Sequence, residues 1–180
     1  MGEIVLDALK ETLIMVFTST IFAVILGFIP AILLTVTAND GLKPNKIIYN
    51  ILDFIVNTLR SFPFVILMVI IVPLTRFIVG KSIGTTAAIV PLTIAAAPFV
   101  ARVIESSLRE VDKGVIEAAK AFGASNFQII FKVMLKEAIP SIMSGITLTI
   151  ISIVGYSAMA GAIGGGGLGD VAIRYGYQRF

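Results

Sequence analysis

The sequence predicts an all-α integral membrane protein, a polytopic helical bundle with four spans, and three observations carry that prediction. Hydrophobic residues make up 57% of the 180 positions and charged residues only 14%, with a mean hydropathy of +1.01, a balance outside that of water-soluble domains. Several apolar stretches are long enough to cross a hydrocarbon core of about 30 Å. The modest net charge of +3 is concentrated between those stretches, where membrane orientation explains it better than nucleic-acid binding does.

Composition also removes whole classes of chemistry. With no cysteine there are no disulfides or thiolate metal sites, and with no histidine the usual general base and the commonest metal ligand are gone. No catalytic residue, cofactor site or metal site is expected. The first residues, MGEIVLDALKE, are acidic where a secretory signal needs a basic start, so a chain that begins with its first spanning helix is expected.

Residues 3 to 11 read as an amphipathic lead-in, with Glu3, Asp7 and Lys10 opposite Ile4 and Leu9. The first span follows from about Thr12 to Ala38 and contains Pro30, which removes a backbone hydrogen bond and is expected to bend the helix. Asn39, Asp40, Gly41 and Pro44 make a turn beside Lys43 and Lys46. The second span runs from about Ile47 to Leu74 and places Asp53, Asn57 and Arg60 at i, i+4 and i+7, a polar face that lipid should not see. Two roles stay open for Arg60: pairing with Asp53 inside the bundle, or a place with Asn57 and Pro63 in a solute pathway or its gate.

The third span, about Thr85 to Ile104, is dense in Ala and Thr and interrupted by Pro91 and Pro98, which suits the inner wall of a changing pathway. At its end Arg102, Glu105 and Arg109 are expected to pair on a solvated face marking the interface. Residues 109 to 137 then form a charged loop containing two helices. Asp112 is a candidate cap for the first, Gly123 permits a reversal, and Ser125 with Gln128 fits a capping box for the second. That second helix is expected to turn Phe127, Ile130, Phe131, Met134 and Leu135 to one side.

The fourth span is expected to begin near Pro140, in the first helical turn. Ser141, Gly145 and Thr149 form a small-residue stripe that suits close helix contact, including contact between two copies of the chain, and Ser152 and Tyr156 continue it. Met134, Met143 and Met159 read as flexible packing. Gly161 to Asp170, GAIGGGGLGD, lacks the G-x-x-x-x-G-K-[ST] phosphate-binding pattern and reads as a tightly turned or flexible mouth of the pathway. Tyr175 and Tyr177 are candidate interface anchors. Counting basic residues puts Lys43, Lys46, Arg102, Arg109, Lys113, Lys120, Lys132 and Lys136 on the inner side. Lys10, Arg76, Lys81, Arg174 and Arg179 fall on the outer side, so the N-terminus is outside and residues 109–137 are cytoplasmic.

The order E-A-A, three residues, Gly, fifteen residues, Ile-Pro resembles the EAA loop of ABC importer permeases, with Glu117, Ala118, Ala119, Gly123 and Pro140 on its fixed positions. More closely, residues 57–76, 79–108 and 155–177 are similar to the permease subunits of methionine ABC importers. The resemblance implies one transmembrane permease domain over residues 1–180, in the bacterial plasma (inner) membrane. It implies a fifth span after Tyr177, which this sequence, ending at Phe180, does not contain. It further implies a second copy of the chain, two ATP-binding subunits and an external substrate-binding lipoprotein delivering L- or D-methionine, with ATP and Mg bound by the partner ATPase. Glu117, Ala118, Ala119 and Gly123 then carry the ATPase contact, and Asn57, Arg60, Pro63, Tyr156 and Met159 are candidate pathway or gate residues.

Three other readings are weighed against it. The first is an ABC permease for another amino acid or an osmoprotectant. The second is a secondary transporter or channel, for which Asp53 and Arg60 are the obvious ion-coupling material. The third is a membrane scaffold that recruits a soluble partner but moves no solute.

Overall fold

The computed structural model describes residues 2–178, and these form helices joined by short turns. Arg179, counted above among the outer basic residues, lies outside the described residues. Helix α1 (Gly2–Thr37) absorbs the amphipathic lead-in and the first span into one helix of 36 residues, and Pro30 lies inside it without ending it. At 1.5 Å per residue it is about 54 Å long, well beyond a hydrocarbon core of about 30 Å. The excess is the end carrying Glu3, Asp7, Lys10 and Glu11.

The second span is not one helix. Helix α2 (Lys46–Ser61) and helix α3 (Phe64–Val79) meet at an angle of 109°. The break follows from Pro63: the residue before a proline is driven out of the helical region, and Phe62 is extended at φ −70°, ψ 129°. Asn45 caps the start of α2, its Oδ1 accepting from the amides of Ile47 and Ile48, each at 3.1 Å.

Helix α4 (Thr85–Arg109) is the centre of the bundle and packs against α1, α2 and α3. It runs one turn further than its apolar stretch suggests, through Pro91 and Pro98, both buried. Among the described residues three helical stretches are long and apolar enough to cross a membrane, Gly2–Thr37, Thr85–Arg109 and Asn126–Gly165, and the number is four when the bent α2–α3 pair is taken as one broken span.

Contact between α1 and α4 depends on small side chains. A methyl group on Gly27 would lie 2.6 Å from the Ala97 carbonyl oxygen, a backbone atom that cannot step aside. Lipid tails are as apolar as leucine, so close backbone approach and dispersion, rather than hydrophobic transfer, hold such a pair together.

Helix α5 (Lys113–Ala121) lies at one end of the bundle and has no fully buried residue. The chain then enters α6 (Asn126–Gln128), a π-helical stretch (Ile129–Met134) and α7 (Leu135–Ala160) as one continuous helix. The helix that carries the fourth span therefore starts at Asn126, and Pro140 lies inside α7 rather than in a first helical turn. The wider π turn also shifts the buried face. Ile129, Ile130 and Met134 are buried while Phe127 is 66% exposed, so the expected common face beginning at Phe127 is corrected by the change of period.

After a non-helical kink at Ile163 and Gly164 the chain doubles back as α8 (Gly167–Val171) and a π-helical turn (Ala172–Tyr177). Glu11 and Thr12 of α1 hold this reversal: the amide of Gly167 donates to Glu11 Oε2 at 2.7 Å and that of Leu168 to Thr12 Oγ1 at 2.9 Å. The glycine-rich segment is thus a tight, tied turn.

Gly27→Ala is expected to destabilise the folded protein by about 1–3 kcal/mol, the usual cost of overpacking. Gly155→Ala, where nothing lies within 4 Å of the new methyl, is expected to be neutral. Thermal unfolding of the two variants in the same detergent checks the contrast.

Candidate functional site

The segment between α4 and α7 is built from local signals. Asp112 Oδ1 accepts from the amides of Gly114 at 2.7 Å and Val115 at 3.3 Å, which starts α5. Gly123 ends it with φ +79°, a left-handed conformation that side chains other than glycine adopt at a cost. The Ser125 amide donates to Gln128 Oε1 at 2.9 Å, and the Gln128 amide donates to Ser125 Oγ at 3.3 Å, closing the capping box.

These signals hold a short helix against the start of the long helix that follows it, with Ile116 and Ala119 packed inward. Glu117 and Ala118 are exposed, Ala119 packs inward, and Phe122 at the helix end is 90% exposed. Lys120, Lys132 and Lys136 are exposed around it. The exposed face of this helix thus carries Glu117, Ala118 and Phe122 together.

Beneath that helix lies a chain of charges. Arg102 Nη1 donates to Glu105 Oε2 at 2.6 Å, and its Nη2 donates to Asp53 Oδ1 on α2. Arg109 Nη1 lies 3.6 Å from Glu105 Oε1, and Arg109 Nη2 donates to Asp40 Oδ1 at 3.1 Å. Lys113, the first residue of α5, approaches Asp40 Oδ2 at 3.7 Å. Tyr49 donates to Glu105 Oε1 at 3.4 Å. The expectation that Arg102, Glu105 and Arg109 pair on a solvated face is therefore corrected: the Glu105 side chain is only 4% exposed. The signal that places it inside is periodicity, since Glu105 shares a face with Ala101 and Leu108, both fully buried.

Asp53 does not pair with Arg60. It takes Arg102 and accepts from Asn57 Nδ2 at 3.1 Å, and Arg60 lies over the Phe99 ring, 5.8 Å from its centroid. Of the candidate pathway residues, Pro63 is exposed at the α2–α3 break and its neighbour Phe64 stacks on Tyr156 with ring centroids 4.8 Å apart. Met159, one turn beyond Tyr156, is 48% exposed. Asn57 and Arg60 stay on α2, so the five residues fall into two groups on either side of the break.

The small-residue stripe on α7 faces α4 of the same chain. A methyl on Gly145 would lie 2.0 Å from Val103 Cγ1, and Ser141 Oγ accepts from Ser107 Oγ at 2.9 Å. Contact between copies through this stripe is thereby replaced by contact within one chain. Among the described residues no group of three or more acidic side chains is placed to hold a metal ion.

Residues 23–179 match the family described as binding-protein-dependent transport system inner membrane component. The chain is similar to a probable D-methionine transport system permease protein, MetI, of Vibrio cholerae, with 52% identity over 99% of this chain and 80% of the relative. A second MetI, from Haemophilus influenzae, is 48% identical over 99% of this chain and 84% of its own. Among solved structures, a chain of the MetNI methionine ABC transporter in an inward-facing conformation aligns with a TM-score of 0.96 and 47% identity. That alignment covers 98% of this chain and 82% of the other.

Gly123→Ala isolates the turn, because the added methyl meets nothing within 4 Å and the cost is torsional, about 1–2 kcal/mol. Amide hydrogen exchange over residues 119–128 is expected to speed up roughly tenfold and to stay unchanged in the spans.

Proposed function

The chain belongs to the binding-protein-dependent transport system inner membrane component family, and we infer that it is the transmembrane permease subunit of an ATP-driven methionine importer. The observation that carries this is the joint match in fold and sequence to the MetNI permease across nearly the whole chain, together with the MetI relatives. It is a multi-pass protein of the bacterial inner membrane. The chain has no phosphate-binding lysine motif, so phosphoryl transfer falls to a separate ATP-binding subunit, which holds ATP and Mg.

In this reading two copies of the chain pair with two ATP-binding subunits, and an external lipoprotein delivers L- or D-methionine. The end of the bundle carrying Lys43, Lys46, Arg109, Lys113, Lys120, Lys132 and Lys136 faces the cytoplasm, which the positive-inside rule supports, and the N-terminus lies outside. Helix α5 docks in a groove of the ATPase. Phe122 supplies an apolar anchor, Ala118 and Ala119 permit close approach, Glu117 meets a basic group, and Gly123 sets the angle to the long helix behind it.

Transport then requires a coupling free energy between the nucleotide site and the pathway, carried by two arrangements of the bundle. The α2–α3 break at Pro63, the Phe64–Tyr156 stack and Met159 lie where such a rearrangement opens or shuts a passage for an apolar zwitterion. Asn57 and Arg60 line the approach on α2. The rival secondary-transporter reading needs a carboxylate free to take up a coupling ion. Asp53 is its obvious material, and Asp53 is already engaged by Arg102 and Asn57.

Reconstituting the permease with its cognate ATP-binding subunit and lipoprotein tests this. ATP-dependent uptake of labelled methionine is expected, and Gly123→Pro, which cannot adopt φ +79°, is expected to reduce it by at least about tenfold while the spans stay folded. No uptake by an assembled, ATP-hydrolysing complex excludes methionine as the solute. Failure to assemble excludes the ABC reading itself.

A further inference from the structure

Helix α2 is held to the bundle by a narrow apolar strip, Val56 with Tyr49 and Leu52 beside it, and by polar ties. Val56 is its one fully buried residue, while Ile47, Ile51 and Phe54 are 73%, 55% and 70% exposed. Its contacts with α4 that carry direction are Arg102 to Asp53, both to the side-chain oxygen and to the main-chain oxygen at 3.5 Å, Tyr49 to Glu105, and Arg60 over the Phe99 ring. A helix attached in this way takes its position from where those groups are.

Those same groups are continuous with the docking helix. From the first residue of α5 the order is Lys113, Asp40, Arg109, Glu105, Arg102, Asp53, alternating in sign at every step. The outer steps are exposed and individually weak: Lys113 is 75% exposed and Asp40 45%. The inner steps are shielded, with Arg102 18% and Asp53 34% exposed. Arg102 lies seven residues inside the end of α4, about 10 Å deeper along the helix, where an unpaired guanidinium is costly. Breaking one inner contact therefore forces its partner to find another.

We propose that Arg102 is a positioning residue of the transport cycle: with Glu105 it ties α2 to the α4–α5 end, so that movement of the ATPase-docking helix is delivered to the Arg60–Pro63 end of α2. This rests on the permease reading above. The tie has two parts. Glu105 is shared by Arg102 and Arg109 on one helix and keeps Arg102 aimed outward. Asp53 is the part that crosses to α2, and Asp53→Asn loosens it while leaving Arg102 paired with Glu105.

The sequence has no cysteine, so Ser61→Cys, at the exposed far end of α2, gives one spin label per copy and one distance between the two copies. In the assembled complex, that distance is measured with and without non-hydrolysable ATP, alongside methionine imported per ATP hydrolysed. For Asp53→Asn, which leaves Glu105 with both guanidinium groups, assembly and ATP hydrolysis are expected within about twofold of the parent, whereas Arg102→Gln is expected to assemble less well and is compared per assembled complex. Methionine per ATP is expected to fall at least about fivefold, the nucleotide-driven distance change to shrink by more than half, and Arg102→Lys to recover part of both. An unchanged ratio and distance change in Asp53→Asn overturn the proposal. So does parallel loss of assembly, hydrolysis and uptake in all three variants, which is the mark of a purely structural role. If the assembled parent complex imports no methionine, methionine is excluded as the solute, and the nucleotide-driven distance change still decides whether α2 follows the docking helix.

Discussion

The carboxylate of Glu105, almost wholly buried between two guanidinium groups, is the constraint to which the rest of this bundle conforms. A buried ion cannot be left alone. Removing one partner from such an arrangement typically costs about 3–5 kcal/mol because the other charge stays behind without compensation. Arg102 and Arg109 must therefore lie on the same face of α4, Tyr49 must bring the first turns of α2 alongside, and Asp40 must fold back over the end of α4 to take the far side of Arg109. The turn between α1 and α2 is thereby drawn against α4, with the Gly41 amide donating to Ala38 and the Lys43 amide to Val36. The charges come from four separate stretches of chain, and their geometry selects one packing of those stretches.

Apolar packing is permissive by comparison. In lipid, an exposed leucine is no worse placed than a buried one, so the many exposed large side chains of α1, α2 and α3 are compatible with membrane or with another chain. What discriminates is where backbones approach. Gly27 against Ala97 joins α1 to α4, Gly145 against Val103 joins α4 to α7, and Gly169 against Ala158 closes the glycine-rich reversal. These contacts place α4 at the centre, where its prolines are buried and its neighbours can satisfy the backbone groups they leave free.

Features encoded within a few residues were legible in the sequence, and features that depend on distant partners were not. The Asp112 cap, the Gly123 reversal and the Ser125–Gln128 box are local hydrogen-bonding patterns, and each is present as expected. That the second span divides into two helices at Pro63 was not legible, because Pro30, Pro91, Pro98 and Pro140 all sit inside helices and proline alone does not say which it will be. That the helix carrying the fourth span starts at Asn126 was not legible either, because a π turn keeps a helix going while changing its period. Arg102, Glu105 and Arg109 were recognised as a group, yet their burial depends on Asp53 and Asp40, which lie 49 and 69 residues away from Arg102 and Arg109. The clamp of Glu11 and Thr12 on Gly167 and Leu168 spans 156 residues and left no trace in any local pattern.

The two ends of the bundle are consequently held by different physics. At the end bearing α5, long charged side chains span the gaps, and such contacts can lengthen, exchange partners and re-form without repacking a core. At the other end, glycine backbones touch directly and the reversal is pinned by two amides donating to Glu11 and Thr12, an arrangement that has no slack to give. Movement is easiest where contacts are polar and extensible, and hardest where backbones meet. The α2–α3 pair joins the two regimes: its first half hangs on the charges, and its second half packs through Phe64 on Tyr156 of α7, close to the closed end. Any displacement that begins among the charges must therefore be taken up at the extended residues Phe62 and Pro63 between them, which is where a helix broken by 109° has already surrendered its continuous hydrogen bonding.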